Sequence, residues 1–389
     1  MRKYDDQSRS LVAFDQDSTL IAVIEMSQSK WLVGGLLPGV EREPEKGLSP
    51  DPAALLRLLE EWRARAVRVG RPIMRVCVAY EAGRDGFWLA RRLRAEGIEC
   101  HVIHPTSIAV SREHRRAKTD RLDLGLLKRA FLGWLRGERK HCSMAPVPSL
   151  AEEDARRPHR EQAALVGEQT RLVNRIKASL ARLGIRGFKP KLRGAADRLG
   201  ELVSGDGEAI PPLTLAELKR ALARLALVRQ QLRAIEAARE SRLAAPQTAA
   251  GRQAAQLTQV HGLGRETAEL LATECFSRDQ RDQRAVARSA GLTGAPDESG
   301  SRRREKGLAR AGNARVRHAT IQLSWRFLAF QPDSALACWY RARTGDGRRD
   351  IRKTMIVALA RKLLIALWRF ATTGEVPAGV ILRPAPATR

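Results

Sequence analysis

The sequence predicts a mixed α/β domain at the N-terminus, a helical coiled-coil middle and a mostly α C-terminal domain. Three observations carry this. Short β-rich apolar runs alternate with helical patterns over the first 140 residues; two long, charge-laced helical stretches follow, separated by a Gly/Pro-rich segment; and helical spacing dominates from about residue 256. At 389 residues the chain exceeds the roughly 250–300 at which one core stops growing, so two or three domains are expected.

The elements follow in order. Thr19–Met26 and Trp31–Leu37 flank the polar Ser27-Gln28-Ser29-Lys30, which reads as two antiparallel strands and a tight turn. Asp51–Val67 carries Leu55, Leu56, Leu59, Trp62 and Ala66 at helical spacing. Ile73–Tyr80 is a strand that stops at Glu81, Gly86–Ala95 a helix, Cys100–His104 a strand and Thr119–Leu135 a helix. Such an order requires both hairpin and crossover connections. Pro146 and Pro148 end this domain (1–145), and Ser149-Leu150-Ala151-Glu152 is a capping box that opens the middle region (146–250). There Leu165, Leu172, Ile176, Leu180 and Leu183 make one stripe. After the breakers, a second capping box at Thr214–Glu217 introduces Leu218, Leu222, Leu225, Val228, Leu232 and Ile235, the pattern of an antiparallel coiled coil. The last domain (251–375) starts with the turn Val260-His261-Gly262-Leu263-Gly264, has helices at 266–273, 281–291, 313–330 and 349–372, a loop over 293–306, and a Pro-rich tail (376–389).

Composition narrows the function. Seventy Lys and Arg against 43 Asp and Glu leave a net charge of +27, which points to an acidic polymer as partner. The 43% hydrophobic content excludes wholesale disorder, and 5% aromatic content argues against binding built mainly on base stacking. No apolar run is long enough to span a membrane, and the first residues lack a secretion-signal core. Five scattered cysteines (Cys77, Cys100, Cys142, Cys275, Cys338) read as free thiols of a cytoplasmic protein. His104, His114, His141 and His261 lack metal-ligand spacing, Met26, Trp31 and Trp368 read as core, and no phosphate-binding or dinucleotide loop is present. The bases concentrate in two runs, 112–129 and 302–317, whereas residues 1–50 are rich in acids.

Four acids stand out in this basic chain. Glu25 and Glu81 close strands, and Asp120 and Asp123 lie three apart on one helix face. Brought to one sheet edge they would repel unless protonated or bridged by a hard cation. Two magnesium ions in such a pocket would stabilise the attacking and leaving oxygens of phosphoryl transfer.

The text around these acids resembles a known family. Tyr80-Glu81-Ala82-Gly83, His104-Pro105 and Arg116-Ala117-Lys118-Thr119-Asp120-Arg121-Leu122-Asp123 resemble the DEDD transposases of the insertion-sequence-110 family. The resemblance implies a RuvC/RNase H-like fold for the first domain and a magnesium site of Glu25, Glu81, Asp120 and Asp123. Glu25 stands where that family carries Asp, and Asp15 and Asp17 are its rivals. In the last domain, Val260–Ala268 resembles the family's helix-hairpin-helix-like turn, with His261 in place of proline and Gly262 and Gly264 as phosphate-approaching glycines. Ala290-Gly291-Leu292, Glu298-Ser299-Gly300, Lys306-Gly307, Gly312-Asn313 and Arg315-x-Arg317 match its serine signature in order. Ser299 is thereby implied as nucleophile, with Ser301 as the alternative. Arg115, Arg116, Lys118, Arg302, Arg303, Arg304, Lys306, Arg310, Asn313, Arg315, Arg317, Arg361 and Lys362 are candidate nucleic-acid contacts. The resemblance further implies donor and target DNA, a non-coding bridge RNA that guides by base pairing, and a homo-oligomer, dimer or tetramer, with composite active sites. A metal-dependent nuclease and a non-catalytic nucleic-acid-binding descendant are the alternatives.

Overall fold

The computed structural model describes residues 9–84, 86–108, 119–138, 141–299, 302–309, 311–345, 347 and 349–383; the side chains of 296–299, 302–306 and 349 lie outside that description. The chain divides into two compact units, Met1–Ala151 and Glu152–Arg389.

The first unit is a mixed six-stranded sheet. Its elements are β1 (Thr19–Met26), β2 (Trp31–Leu36), β3 (Glu45–Leu48), α1 (Pro52–Arg68), β4 (Arg75–Glu81), α2 (Trp88–Ala95), β5 (Glu99–Ile103), α3 (Asp120–Leu135) and β6 (Met144–Ala145). The order across the sheet is β3-β2-β1-β4-β5-β6. β1 to β3 form an antiparallel meander, whereas β1, β4 and β5 run parallel through helical crossovers. Both connection types match the sequence reading; the two short edge strands β3 and β6 are additions.

Alternation sends the strands' side chains to two faces. Leu20, Ala22, Ile24, Val78, Tyr80 and Val102 pack with α1 and α2 residues such as Leu55, Trp62, Leu89 and Leu93. Ile21, Val23, Cys77, Ala79 and Ile103 pack beneath α3 through Leu124, Leu127, Phe131 and Trp134. Asp51 caps α1 by accepting from the amides of Ala53 and Ala54, and Thr119 caps α3 through the Leu122 amide. Gly34 lets α3 settle close, because a Cβ there would stand 2.9 Å from a Leu124 methyl carbon.

The second unit is largely helical: α4 (Leu150–Asp154), α5 (Arg157–Arg182), α6 (Ala195–Gly200), α7 (Pro212–Ala244), α8 (Ala249–Leu257), α9 (Arg265–Leu271) continued by a π-helical turn (Ala272–Phe276), α10 (Gln283–Ser289), a hairpin of β7 (Gly294–Ser299) and β8 (Arg302–Leu308), then α11 (Ala314–Phe330), α12 (Ala335–Thr344) and α13 (Arg349–Thr373). α5 and α7 pair antiparallel: Ile176 and Leu180 near the end of α5 meet Leu218, Leu222 and Leu225 near the start of α7, and Gln162 near the start of α5 accepts a hydrogen bond from Arg239 near the end of α7. A separate core gathers Leu257, Leu263, Leu271, Val286, Val316, Leu323, Leu363 and Leu367 from α8 to α13.

Two local expectations are corrected. The Thr214 capping box does not start α7; the helix begins two residues earlier at Pro212, where proline's fixed φ and missing N–H suit the first helical position. The expected loop over 293–306 is the β7–β8 hairpin. It carries no apolar alternation, so periodicity could not reveal it; its register sets Asp297 opposite Arg304 and Glu298 opposite Arg303.

Candidate active site and nucleic-acid interface

The sheet brings Glu25 and Glu81 side by side. β1 and β4 run in parallel register, with Ile24 opposite Tyr80, so the next residues, Glu25 and Glu81, occupy neighbouring positions at the same strand ends. Glu25 extends the Ile21, Val23 series and Glu81 the Cys77, Ala79 series, which puts both on the α3 face. α3 runs back along that face. Its C-terminal end reaches the start of β1, where Arg136 hydrogen-bonds Gln16 at 3.3 Å, while Leu124 in its second turn packs on Gly34, the partner of Val23. The first turn, with Asp120 exposed and Asp123 half-buried, therefore points toward the strand ends that carry Glu25 and Glu81.

All four predicted acids thus share one end of one sheet face, although among the described residues no three His, Cys, Asp or Glu side chains stand close enough to hold an ion. As a donor set they are all oxygen, the kind a hard divalent cation takes. Asp15 and Asp17 precede β1 and so lie at its opposite end; Asp17 pairs with Arg71 at 3.2 Å, and Asp15 accepts from the Asp17 amide at 3.0 Å. Asp15 and Asp17 thus do not share the strand ends that carry Glu25 and Glu81.

Several other charges of the unit are held in pairs. Lys128, 7% exposed, is held by Glu43 at 2.7 Å and Glu45 at 3.6 Å. Glu99 accepts two 2.8 Å hydrogen bonds from Arg75 and one of 2.6 Å from His101; burial pushes its carboxyl upward, but these partners outweigh it and hold it at about 2. Cys77, Cys100 and Cys142 are buried, which pushes each thiol up to about 12 and makes them core residues.

In the second unit, Ser299 pairs with Arg302 as the last register position of the hairpin, next to its turn. Arg303, Arg304 and Lys306 follow along β8. Ser301 and Arg310, like Arg115, Arg116 and Lys118 of the first unit, lie outside the described residues.

The hairpin's base is closed by glycines. Gly291 has φ +66°, and a Cβ on it would stand 2.3 Å from the Ala311 carbonyl oxygen; Gly312 has φ +110°, and its Cβ would meet the Arg288 and Ser289 carbonyls at 2.6 Å. Only glycine lets the two strand-flanking segments approach this closely. Asn313 then caps α11, its Oδ1 accepting from the Arg315 and Val316 amides at 3.0 and 3.3 Å. Arg315 is exposed, and Arg317 donates to the Ala290 carbonyl at 3.4 Å.

Gly262 has φ +87° and packs on Phe330, whose Cβ would be 2.6 Å from an added Cβ; His261 meets the same ring edge-on at 5.2 Å. Gly264 occupies the N-cap of α9. Arg361 and Lys362 of α13 line a groove with Gln283, Arg284, Ala358 and Ile365, and Lys362 Nζ sits 4.9 Å over the Trp339 ring. Among the described residues, no carboxylate pairs with Arg284, Arg361 or Lys362, so this groove is cationic.

Sequence reading missed a buried charge cluster. Arg239, fully buried, donates to Glu269 at 2.8 Å, and Arg242 reaches the other Glu269 oxygen at 3.0 Å. His159 is 4% exposed beside them, with Nε2 3.7 Å from Glu269, and burial lowers its imidazole pKa. No spacing rule could have found these residues, since α5, α7 and α9 supply one or two each.

Comparison with known proteins agrees with the family resemblance. Residues 254–339 match a family model described as transposase of the IS116/IS110/IS902 family. A curated protein of Sinorhizobium fredii named "Putative transposase y4rJ" is 42% identical over 372 residues, 92% of this chain and 93% of its own length. Among the described residues no helix is long and apolar enough to cross a membrane. With the family's motifs collinear along both units, the chain belongs to the IS116/IS110/IS902 family and is a DNA transposase.

Proposed function

We propose that this transposase cuts and rejoins DNA with magnesium held by Glu25, Glu81, Asp120 and Asp123 of a RuvC-like domain and with Ser299 as covalent nucleophile. The observation that carries the reading is the in-register placement of Glu25 and Glu81 on the face that receives the first turn of α3. Four oxygen donors at one sheet end fit a hard cation, and a bound magnesium would neutralise charge developing on the phosphate. The acids' own part is to hold that charge at a fixed strand end, with Thr119 fixing the start of α3.

The Ser299 hydroxyl loses its proton to a base and its oxygen attacks the phosphorus. A serine–phosphate bond forms, the bond to the departing DNA oxygen breaks, and that oxygen takes up a proton. Attack by a hydroxyl of another strand reverses these steps, so phosphodiester bonds are conserved. The cationic groove at Arg361 and Lys362 and the basic β8 supply backbone contacts that steepen salt dependence. The family resemblance and the +27 charge support a bridge RNA as guide, held with the DNA by an oligomer.

The test is a denaturing gel of full-length protein with magnesium and the DNA ends of its own element. A protein–DNA adduct is expected for wild type and is absent in Ser299→Ala. Free nicked ends with an unaffected Ser299→Ala would assign hydrolysis by water instead.

A further inference from the structure

A carboxylate that the proposed chemistry does not use sits behind the serine hairpin. Glu274 lies in the π-helical turn Ala272–Phe276 and is 5% exposed. Its Oε2 accepts from Asn313 Nδ2 at 2.9 Å. Its Oε1 has no hydrogen-bond partner, although Arg160 Nε of α5, also without one, stands 3.6 Å away.

Burying a carboxylate is costly, and an incompletely satisfied one calls for a reason. A π-turn inside a helix is a costly irregularity that often marks a functional position. Here the turn belongs to the element that meets the hairpin's base.

Asn313 is the keystone of that base. Its N–H donates to the Ser289 carbonyl at 2.6 Å, its Oδ1 caps α11, and its Nδ2 is fixed by Glu274. Ser289 precedes β7 and Asn313 follows β8, and the Ala309 amide bonds the Thr293 carbonyl at 2.9 Å between them. An amide can be turned end for end; the Glu274 acceptor selects the orientation in which Oδ1 faces the helix. Whatever sets Asn313 therefore sets the base of both strands, of which β7 ends at Ser299.

We propose that Glu274 is a positioning residue: through the Asn313 amide it fixes the base of the β7–β8 hairpin and so the placement of Ser299. This rests on the serine reading above.

Charge complementation in the full-length protein tests it. Asn313→Asp keeps a good helix cap but sets two carboxylates face to face. Since small misplacements of reacting groups cost up to about a hundredfold, adduct formation should slow by about ten- to a hundredfold. Glu274→Gln still offers an acceptor to Asn313 and should stay within about threefold of wild type, the margin of a hydrogen bond that loses its charge. The double variant Glu274→Gln/Asn313→Asp lets the glutamine amide donate to the aspartate and should recover to within about threefold.

The loss in Asn313→Asp should appear in the adduct rate at saturating DNA, where a lost phosphate contact would not act, and Glu274→Gln should bind DNA like wild type by filter binding; a merely structural role would lower melting temperature and adduct rate together in Glu274→Gln as well. Asn313→Asp with a wild-type adduct rate, or a double variant no faster than Asn313→Asp, would overturn the proposal. If wild type forms no adduct at all, the serine reading fails; the same complementation pattern, read on strand cleavage, then decides Glu274 by the same criteria.

Discussion

Glu269 lies 2.8 Å from the guanidinium of a fully buried arginine and is held by a second, whereas Asp120 and Asp123 open a helix at a sheet end, exposed and half-buried, with no ion pair among the described residues. Both sets of acids belong to a chain with a large excess of bases. In the second unit the bases were drawn into the packing, so Arg239, Arg242 and Glu269 join α7 to α9. On the α3 face of the first unit, the strand ends carry acids and the nearest helix turn adds more. Surplus charge by itself therefore says little about what an acid does. An acid matched by buried bases, as Glu269 is, holds structure, while Asp120 and Asp123, without an ion pair among the described residues, keep their oxygens toward solvent.

Arg239→Ala should be the most damaging change to the packing of the second unit. Removing one partner of a buried pair typically costs about 3–5 kcal/mol, and retention of Arg242 on Glu269 places this case near the lower end. Calorimetry of the full-length protein should show a destabilised second unit. Arg239→Met, which keeps packing volume, should lose less, and a transition unchanged by Arg239→Ala would show that the cluster contributes nothing to holding the helices.

On the chemical side, Asp120→Asn preserves size and leaves the Thr119 cap in place. On the proposed reading of Asp120 as a magnesium ligand, its loss should reduce strand cleavage in magnesium by at least about a hundredfold, the scale of several kcal/mol of charge stabilisation. Melting in the absence of magnesium should be unchanged. Asp17→Asn, at the other end of β1, should cleave like wild type; equal losses in both variants would remove the distinction between the two ends of the sheet.

How legible each region was follows from the same physics. β1 was readable to its termini, because Thr19–Met26 is apolar and bounded by a polar turn. Glu25 and Glu81 stood out as acids that end such runs, and Asp120 and Asp123 as acids three apart on one helix face. β3 and β6, only four and two residues long, carry too few positions for a period. The hairpin holding Ser299 has no apolar alternation, so the family motif located the serine while the strand pattern did not. Arg239, Glu269 and His159 were hidden for a different reason. On charge-laced helices a buried base looks like a solvent-facing one until the third helix is in place.

The two regions should also come apart in acid at different pH. Burial lowers the His159 imidazole below its ordinary 6.5, against the raising influence of Glu269. The unfolded chain therefore takes up a proton that the folded chain refuses, and the second unit loses stability as pH falls below 6.5. In the first unit Glu99 is held at about 2 from an ordinary 4.5. Its stabilisation is complete above 4.5 and fades only as pH falls from there toward 2, because the unfolded carboxyl protonates first. Calorimetry of the full-length protein across this range should show one transition weakening below 6.5 and a second holding until below 4.5. His159→Leu should flatten the upper slope alone and Glu99→Gln the lower alone. A single slope shared by both transitions, and moved by either substitution, would mean that the two units answer to one set of charges.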